Sequence, residues 1–390
     1  MKNTKKNEWK GLSFGAWPIM QGYQRRLSRK IQNILFMSLV LLSFIFLYKK
    51  YFFVCRAKED QRMEKMCLDF INKKVDKCLQ HKSRYDQNKE FAAIKTHLPL
   101  IPLKMTRSNA VFLYTHKKPY VVIKRCIAPD APGLAEDEML KSLDHKNVVK
   151  FFKSFREKYV NLKEEEETII WIFMEHMDIK VSQDVVKGNE NKIREITKGI
   201  LHGLQYLHSM GIAHLDLKIS NVMGKETKDG IVYKIIDFGF ARRLANVGDN
   251  AEIQIPSKSF GTYPYKPPET SQLNMHGIKG DIWCLGAIVW FLSWRQTPFY
   301  FDDGRKNLEE WRMFIRGRIP ISFKPNTSPA LRNFVRKCMD FDRFARPSAS
   351  ELLEHPFITG VPMKVTEEEI NEMSEEFSSS SEYSDTRSED

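Results

Sequence analysis

The stretch from Ile193 to Phe240 constrains the fold more than any other part of this chain. Ile193, Ile196, Ile200, Leu204 and Leu207 recur at helical spacing, which predicts an amphipathic helix with one buried face. The helix is expected to end near Met210-Gly211. Next comes a short loop, His214-Leu215-Asp216-Leu217-Lys218-Ile219-Ser220-Asn221, carrying an acid, an ammonium and an amide. After a turn at Lys228-Asp229-Gly230, the run Ile231 to Ile236 reads as a strand that delivers Asp237-Phe238-Gly239. Two carboxylates and an amide therefore end up on adjacent loops. One carboxylate can orient a hydroxyl and take its proton, while an amide oxygen and a second carboxylate are hard ligands suited to Mg²⁺. A lysine between them can neutralise a phosphoryl group in flight.

The sequence H-L-D-L-K-I-S-N, with D-F-G beginning sixteen residues after its asparagine, resembles the catalytic and metal loops of eukaryotic protein kinases. Other pieces recur in the same order. Val121-Val122-Ile123-Lys124 is similar to the third-strand V-A-I-K of that family. Glu136, nine residues before His145, has the spacing of the helix glutamate that pairs with the lysine, and Glu138 competes for that role. Gly261 to Glu269 resembles the end of an activation segment, Asp281 to Gly286 the buried helix behind it, and Arg346 the arginine that pairs with the segment's glutamate, here Glu269.

The resemblance covers roughly residues 91 to 362 and implies an α+β, bilobal kinase-like fold. A small β-rich lobe and hinge would occupy residues 91–177, and a larger helical lobe residues 178–362. It also implies ATP and Mg²⁺ as cofactors and protein Ser/Thr hydroxyls as substrate, Lys218 favouring Ser/Thr over Tyr. Asp216 would be the base and Lys218 would steady the phosphoryl group, while Asn221 and Asp237 would hold metal. Lys124 with Glu136 would grip the phosphates. Val111, Val122, Met174, Met177 and Met223 would line the nucleotide, with Met174 as gatekeeper and the Met177 backbone facing adenine.

Three departures stand against this pattern. The expected G-x-G-x-x-G-x-V loop falls on Lys104 to Val111, where only the valine remains, and no glycine occurs between Gly22 and Gly133. Glycines there let backbone N-H groups approach phosphates, so their absence is expected to weaken the grip, with Lys104 or Arg107 as compensating charge. Val122 replaces the usual alanine over adenine. Leu215 replaces the arginine of H-R-D that receives an activation-loop phosphate, so phosphorylation at Ser257, Ser259 or Thr262 is not expected to be the main switch. Together they leave a second reading open: a pseudokinase, a binding module with little or no turnover.

Charge divides the rest. Residues 1–90 hold 20 Lys/Arg against 8 Asp/Glu, whereas residues 363–390 hold 2 against 10, within a chain of net charge +13. Ile31 to Tyr48 is an uncharged apolar run flanked by Arg29-Lys30 and Lys49-Lys50. As a helix it would extend about 27 Å, and Tyr51 to Val54 could lengthen it, so a transmembrane helix is expected at residues 31–54 after a basic segment, 1–30. Membrane contact explains the basic arm better than nucleic acid. Lysines and arginines around the run only weakly favour a cytosolic kinase-like part, and a luminal kinase of secretory-pathway substrates remains the other orientation. Residues 55–90 carry an apolar stripe from Met63 to Leu79 that reads as an amphipathic juxtamembrane helix, with a homodimeric coiled coil as a further possibility. The six cysteines have no metal-ligand spacing. The acidic, serine-rich residues 363–390 are too polar to pack and are expected to be disordered and phosphorylatable.

Overall fold

Strand formation in the small lobe follows from an unbroken apolar run. Ile169 to Met174 is buried at every position, as a central strand covered on both faces must be. The computed structural model describes residues 61–72, 98–105, 109–128, 136–160, 164–246, 248–255, 260–293, 299, 307–324 and 326–363. Residues 1–73 and 74–390 form separate units, and in the first of them residues 61–72 are helical.

In the second unit the strands β1 (Leu100–Met105), β2 (Asn109–Tyr114), β3 (Val121–Ile127), β4 (Phe151–Val160) and β5 (Glu166–Glu175) make one antiparallel sheet, ordered β1-β2-β3-β5-β4. Register opposes Val111 to Lys124 and Val122 to Met174. The helix α1 (Glu136–Lys141) lies between β3 and β4 in sequence and is tied to β4 by Asp137. That carboxylate is buried and accepts from Arg156 (3.0 Å), Ser154 (3.0 Å) and Lys141 (3.0 Å).

Beyond Glu175, the short strand β6 (Ile179–Lys180) pairs with β8 (Val222–Thr227), and β8 with β9 (Gly230–Ile235). Helices α2 (Gln183–Val186) and α3 (Glu190–Ser209) lie between β6 and β7 (Ile212–Ala213), which pairs with β10 (Arg242–Arg243). Asn189 caps α3 by accepting from Asn191 and Lys192. Gly199 and Gly203 allow α3 to press on β9: a Cβ at either would come within 2.8 Å of Tyr233 or Ile235. This contact sets the helix that precedes Asp216 against the strand that precedes Asp237.

Strand β11 (Glu252–Gln254) pairs with β12 (Met275–Gly277), separated in sequence by α4 (Pro268–Leu273). Helix α5 (Ile278–Ser293) is buried at all its positions and forms the centre of the large lobe. Around that core come α6 (Leu308–Phe314), α7 (Pro329–Cys338), α8 (Ala349–Leu353) and α9 (Pro356–Thr359).

The expectation of a preceding transmembrane helix is corrected: no helix among the described residues is long and apolar enough to cross a membrane. Residues 31–54 lie outside the described residues, as do residues 364–390. Helix length and burial account for this among the described helices. The apolar helix α5 has 16 residues and would extend about 24 Å, short of the ~30 Å hydrocarbon layer, and its surface is already buried in protein. The single-pass placement rested on that helix and is corrected with it, and the membrane contact expected at residues 31–54 lies outside the described residues.

Candidate active site

The first cluster forms where β3, α1 and the loop after β9 converge. Lys124 Nζ lies 2.5 Å from Glu136 Oε2 and 2.7 Å from Asp237 Oδ1. Burial alone would lower the pKa of this ammonium, but the two carboxylates outweigh that and raise it. Burial alone would likewise raise Asp237, yet Lys124, aided by the more distant Lys104, holds it at about 2. Glu136 sits at the first position of α1, whereas Glu138 points to Arg156 (2.6 Å). Two residues along a helix is about 200° around its axis, so only one of the two acids can face β3.

The second cluster centres on Asp216, which is buried. Its Oδ2 accepts from Lys218 Nζ at 2.6 Å and its Oδ1 from the Thr262 hydroxyl at 2.6 Å, while Lys218 also donates to Thr262 at 2.8 Å. Asn221 donates through Nδ2 to the Asp216 carbonyl at 2.9 Å, leaving its side-chain oxygen as the acceptor end. The loop is held from behind by Asp281, which is fully buried. Its carboxylate accepts from the backbone N-H of His214 (2.8 Å) and Leu215 (3.0 Å) and pairs with His208 (3.1 Å). His214 stacks edge-on against Phe238 at 5.2 Å and so packs between the two clusters. Leu215 and Asp237, flanking these contacts, both hold φ near +65° (64° and 65°), a conformation that costs a non-glycine residue energy and that the surrounding bonds enforce.

Val111 and Val122 lie on β2 and β3, partly buried, and Met174 and Met177 are buried at the end of β5 and just beyond it. Met223 lies on β8, opposite Lys180 and Lys234. The β1–β2 connection, residues 106–108, is outside the described residues, as are Ser257 and Ser259. Sequence reasoning missed Thr262 as a partner of Asp216 and treated Asp281 only as part of a buried helix. The signal for Thr262 was its place at the end of the Gly261–Glu269 motif.

Leu215 replaces a charge by packing. It is fully buried in an apolar cluster with Ala213, Leu244, Ala251 and Ile278, against which Ile253 and Phe260 pack. The segment Glu252–Gln254 is further held by its ladder to β12 and by Arg343, which grips Glu252 with two bonds of 2.9 and 3.1 Å. Restoring the family's arginine, Leu215→Arg, is therefore expected to destabilise the protein by about 3 kcal/mol or more, since the guanidinium would enter an apolar site. A fall in the urea midpoint checks this, and an unchanged midpoint would contradict the apolar-plug account.

The fit of a metal rests on the donor set. Among the described residues no group of three or more His, Cys, Asp or Glu could hold a metal ion by itself. Asp237 and the Asn221 oxygen are hard donors that suit Mg²⁺, an ion that ordinarily completes its shell with water and substrate phosphates. The residues therefore fit a nucleotide-borne Mg²⁺ better than a resident ion.

Comparison with known proteins points to one family. Residues 111–358 match the family model described as a protein kinase domain. The chain is 33% identical over 241 residues to the probable serine/threonine-protein kinase mkcE of Dictyostelium discoideum, covering 60% of this chain and 30% of that protein. It is 31% identical over 227 residues to the serine/threonine-protein kinase sid1 of Schizosaccharomyces pombe, covering 56% and 43%. The serine/threonine-protein kinase shk2 of the same yeast is 29% identical over 231 residues, covering 58% and 36%. The matched region thus spans well under half the length of each of these relatives.

Proposed function

This chain belongs to the protein kinase family, and from that premise we propose that it moves the γ-phosphoryl group of ATP to serine and threonine hydroxyls of proteins. The observation that carries the reading is the joint survival of two complete clusters, Lys124–Glu136–Asp237 and Asp216–Lys218–Asn221. Lys124, aligned by Glu136, would neutralise phosphate oxygens, and Lys104 would add charge where the glycines are missing. Asn221 and Asp237 would hold Mg²⁺, which when bound screens the phosphate charge. Asp216 would orient the attacking hydroxyl and accept its proton, and Lys218 would balance charge on the moving phosphoryl group. Positioning and electrostatics, rather than covalent chemistry, supply the acceleration.

The test is γ-phosphate transfer from ATP and Mg²⁺ to a mixed Ser/Thr peptide library by the whole chain, beside Lys124→Met. Wild type should transfer, lose transfer in EDTA, and rise in Tm with ATP and Mg²⁺. Lys124→Met should lose both transfer and the nucleotide-dependent rise in Tm. The glycine-free loop motivates the second reading, a binding module. A folded wild type with neither transfer nor shift would favour it.

A further inference from the structure

Strand β11 separates the Leu215 cluster from a polar contact, and its two faces carry different partners. Successive side chains of a strand point to opposite sides. Ala251, just before the strand, and Ile253 belong to the apolar cluster around Leu215. Glu252, between them, turns the other way and accepts from Arg343 through both carboxylate oxygens, at 2.9 and 3.1 Å. Arg343 comes from the connection between α7 and α8, 91 residues further along, and its guanidinium lies 4.4 Å from the centre of the Phe344 ring. The ladder from β11 to β12 is extended by bonds from the Ile278 amide to the Ala251 carbonyl (3.1 Å) and from the Ile255 amide to the Asn274 carbonyl (2.8 Å). Gly277 permits this approach, since a Cβ there would collide with the Ala251 carbonyl and stand 2.6 Å from Glu252 Cα.

Leu215 holds φ at +64°, a conformation its surroundings must enforce, and Asp216 follows it directly. Its amide donates to Asp281 at 3.0 Å, on the helix α5 into which β12 runs. Its side chain meets the apolar cluster, whose contacts attract without fixing a direction. A bidentate arginine–carboxylate pair does fix one, because two parallel bonds set both distance and plane. The Arg343 and Glu252 side chains are 24% and 25% exposed, so water screens the pair in part, and bidentate geometry is the condition under which such a pair still carries weight. Strand β11 thus lies between a directional clamp and the strained residue next to Asp216.

We propose that Arg343 is a positioning residue for phosphoryl transfer: by clamping Glu252 it seats β11 on the Leu215 cluster and so holds Asp216 where it meets the substrate hydroxyl. The inference rests on the kinase reading above. Arg343 touches neither nucleotide nor hydroxyl in this account, and it acts through the strand and Leu215 alone.

The experiment uses the whole chain with ATP, Mg²⁺ and the mixed Ser/Thr peptide library, and expresses kcat per folded protein as measured by circular dichroism. Amide hydrogen exchange of residues 251–255 and of Leu215 and Asp216 is followed in the same samples. Arg343→Ala should lower kcat about tenfold, the weight of one bidentate charge-assisted pair, with the KM for ATP within about twofold of wild type and faster exchange at both places. Glu252→Ala should match it, and the double alanine variant should be no worse than either single, since all three lack the same pair. Arg343→Lys keeps the charge and should stay within about threefold of wild type. Arg343→Glu should lose more than Arg343→Ala, and adding Glu252→Arg to it should bring kcat back to about the Arg343→Lys level. Wild-type kcat in Arg343→Ala, with faster exchange at 251–255, would make the clamp a stabilising contact only and overturn the inference while leaving the kinase reading in place. A lower kcat with unchanged exchange would overturn the route through β11. A wild type silent on the library would overturn both readings.

Discussion

Asp216→Asn is expected to lower kcat for phosphoryl transfer by about 10²- to 10⁴-fold, the range ordinarily lost with a positioned general base. The substitution is nearly isosteric, and an amide oxygen can still accept from Thr262. What disappears is the negative charge beside Lys218 and the acceptor for the substrate proton. Lys124, Glu136 and Asp237 form a separate cluster, so the KM for ATP should stay within about threefold of wild type. Steady-state kinetics with varied ATP checks both halves of the prediction. A variant with kcat near wild type would remove Asp216 from the chemistry, while one that failed only through ATP binding would point to a collapsed site.

The second large effect concerns stability. Arg346→Ala is expected to cost about 3–5 kcal/mol, because it leaves a buried carboxylate without its partner. Arg346 is 1% exposed and Glu269 5% exposed, and they share two bonds of 2.6 and 2.9 Å. The same guanidinium donates to the carbonyls of Lys279 (3.0 Å) and Asp340 (2.8 Å) and lies 4.9 Å over the Trp283 ring. Lys279 in turn donates to the Arg346 carbonyl. Glu269 is the second residue of α4 and closes the segment that carries Thr262, so transfer should fall along with stability. Chemical denaturation of Arg346→Ala, Glu269→Ala and the double variant measures the coupling. A double variant less damaged than the sum of the singles is expected, since removing both charges leaves no orphan. Strict additivity would mean that the pair is not the cause.

Much of the site was legible because its residues are close in the chain. Asp216, Lys218 and Asn221 lie on one loop, and their order and spacing are set by local geometry. Asp237 followed from the strand that carries it. The choice between Glu136 and Glu138 needed the helix to be seated, because either acid satisfies a spacing argument and only rotation about the axis separates them. Thr262 reaches Asp216 from 46 residues away, and Asp281 reaches the His214 and Leu215 amides from 67 and 66 residues away. No periodicity encodes such meetings. The transmembrane expectation at 31–54, which lies outside the described residues, rested on hydropathy alone. Hydropathy measures what a segment would do alone, and the described helix α5 shows that an apolar helix can also be spent on a protein core.

By itself the sequence determined the chemistry available to this protein: which acids, amide and lysines are present, in what order, and on which predicted loops and strands. It also determined the absence of phosphate-binding glycines and of the arginine at Leu215. Only the tertiary structure decided which acid meets Lys124, that Leu215 fills an apolar pocket where the family has a charge, and that Thr262 stands beside Asp216. The reason is physical. Local patterns report the conformational preference of neighbouring residues, whereas ion pairs and packing across many tens of residues form only when whole elements have docked.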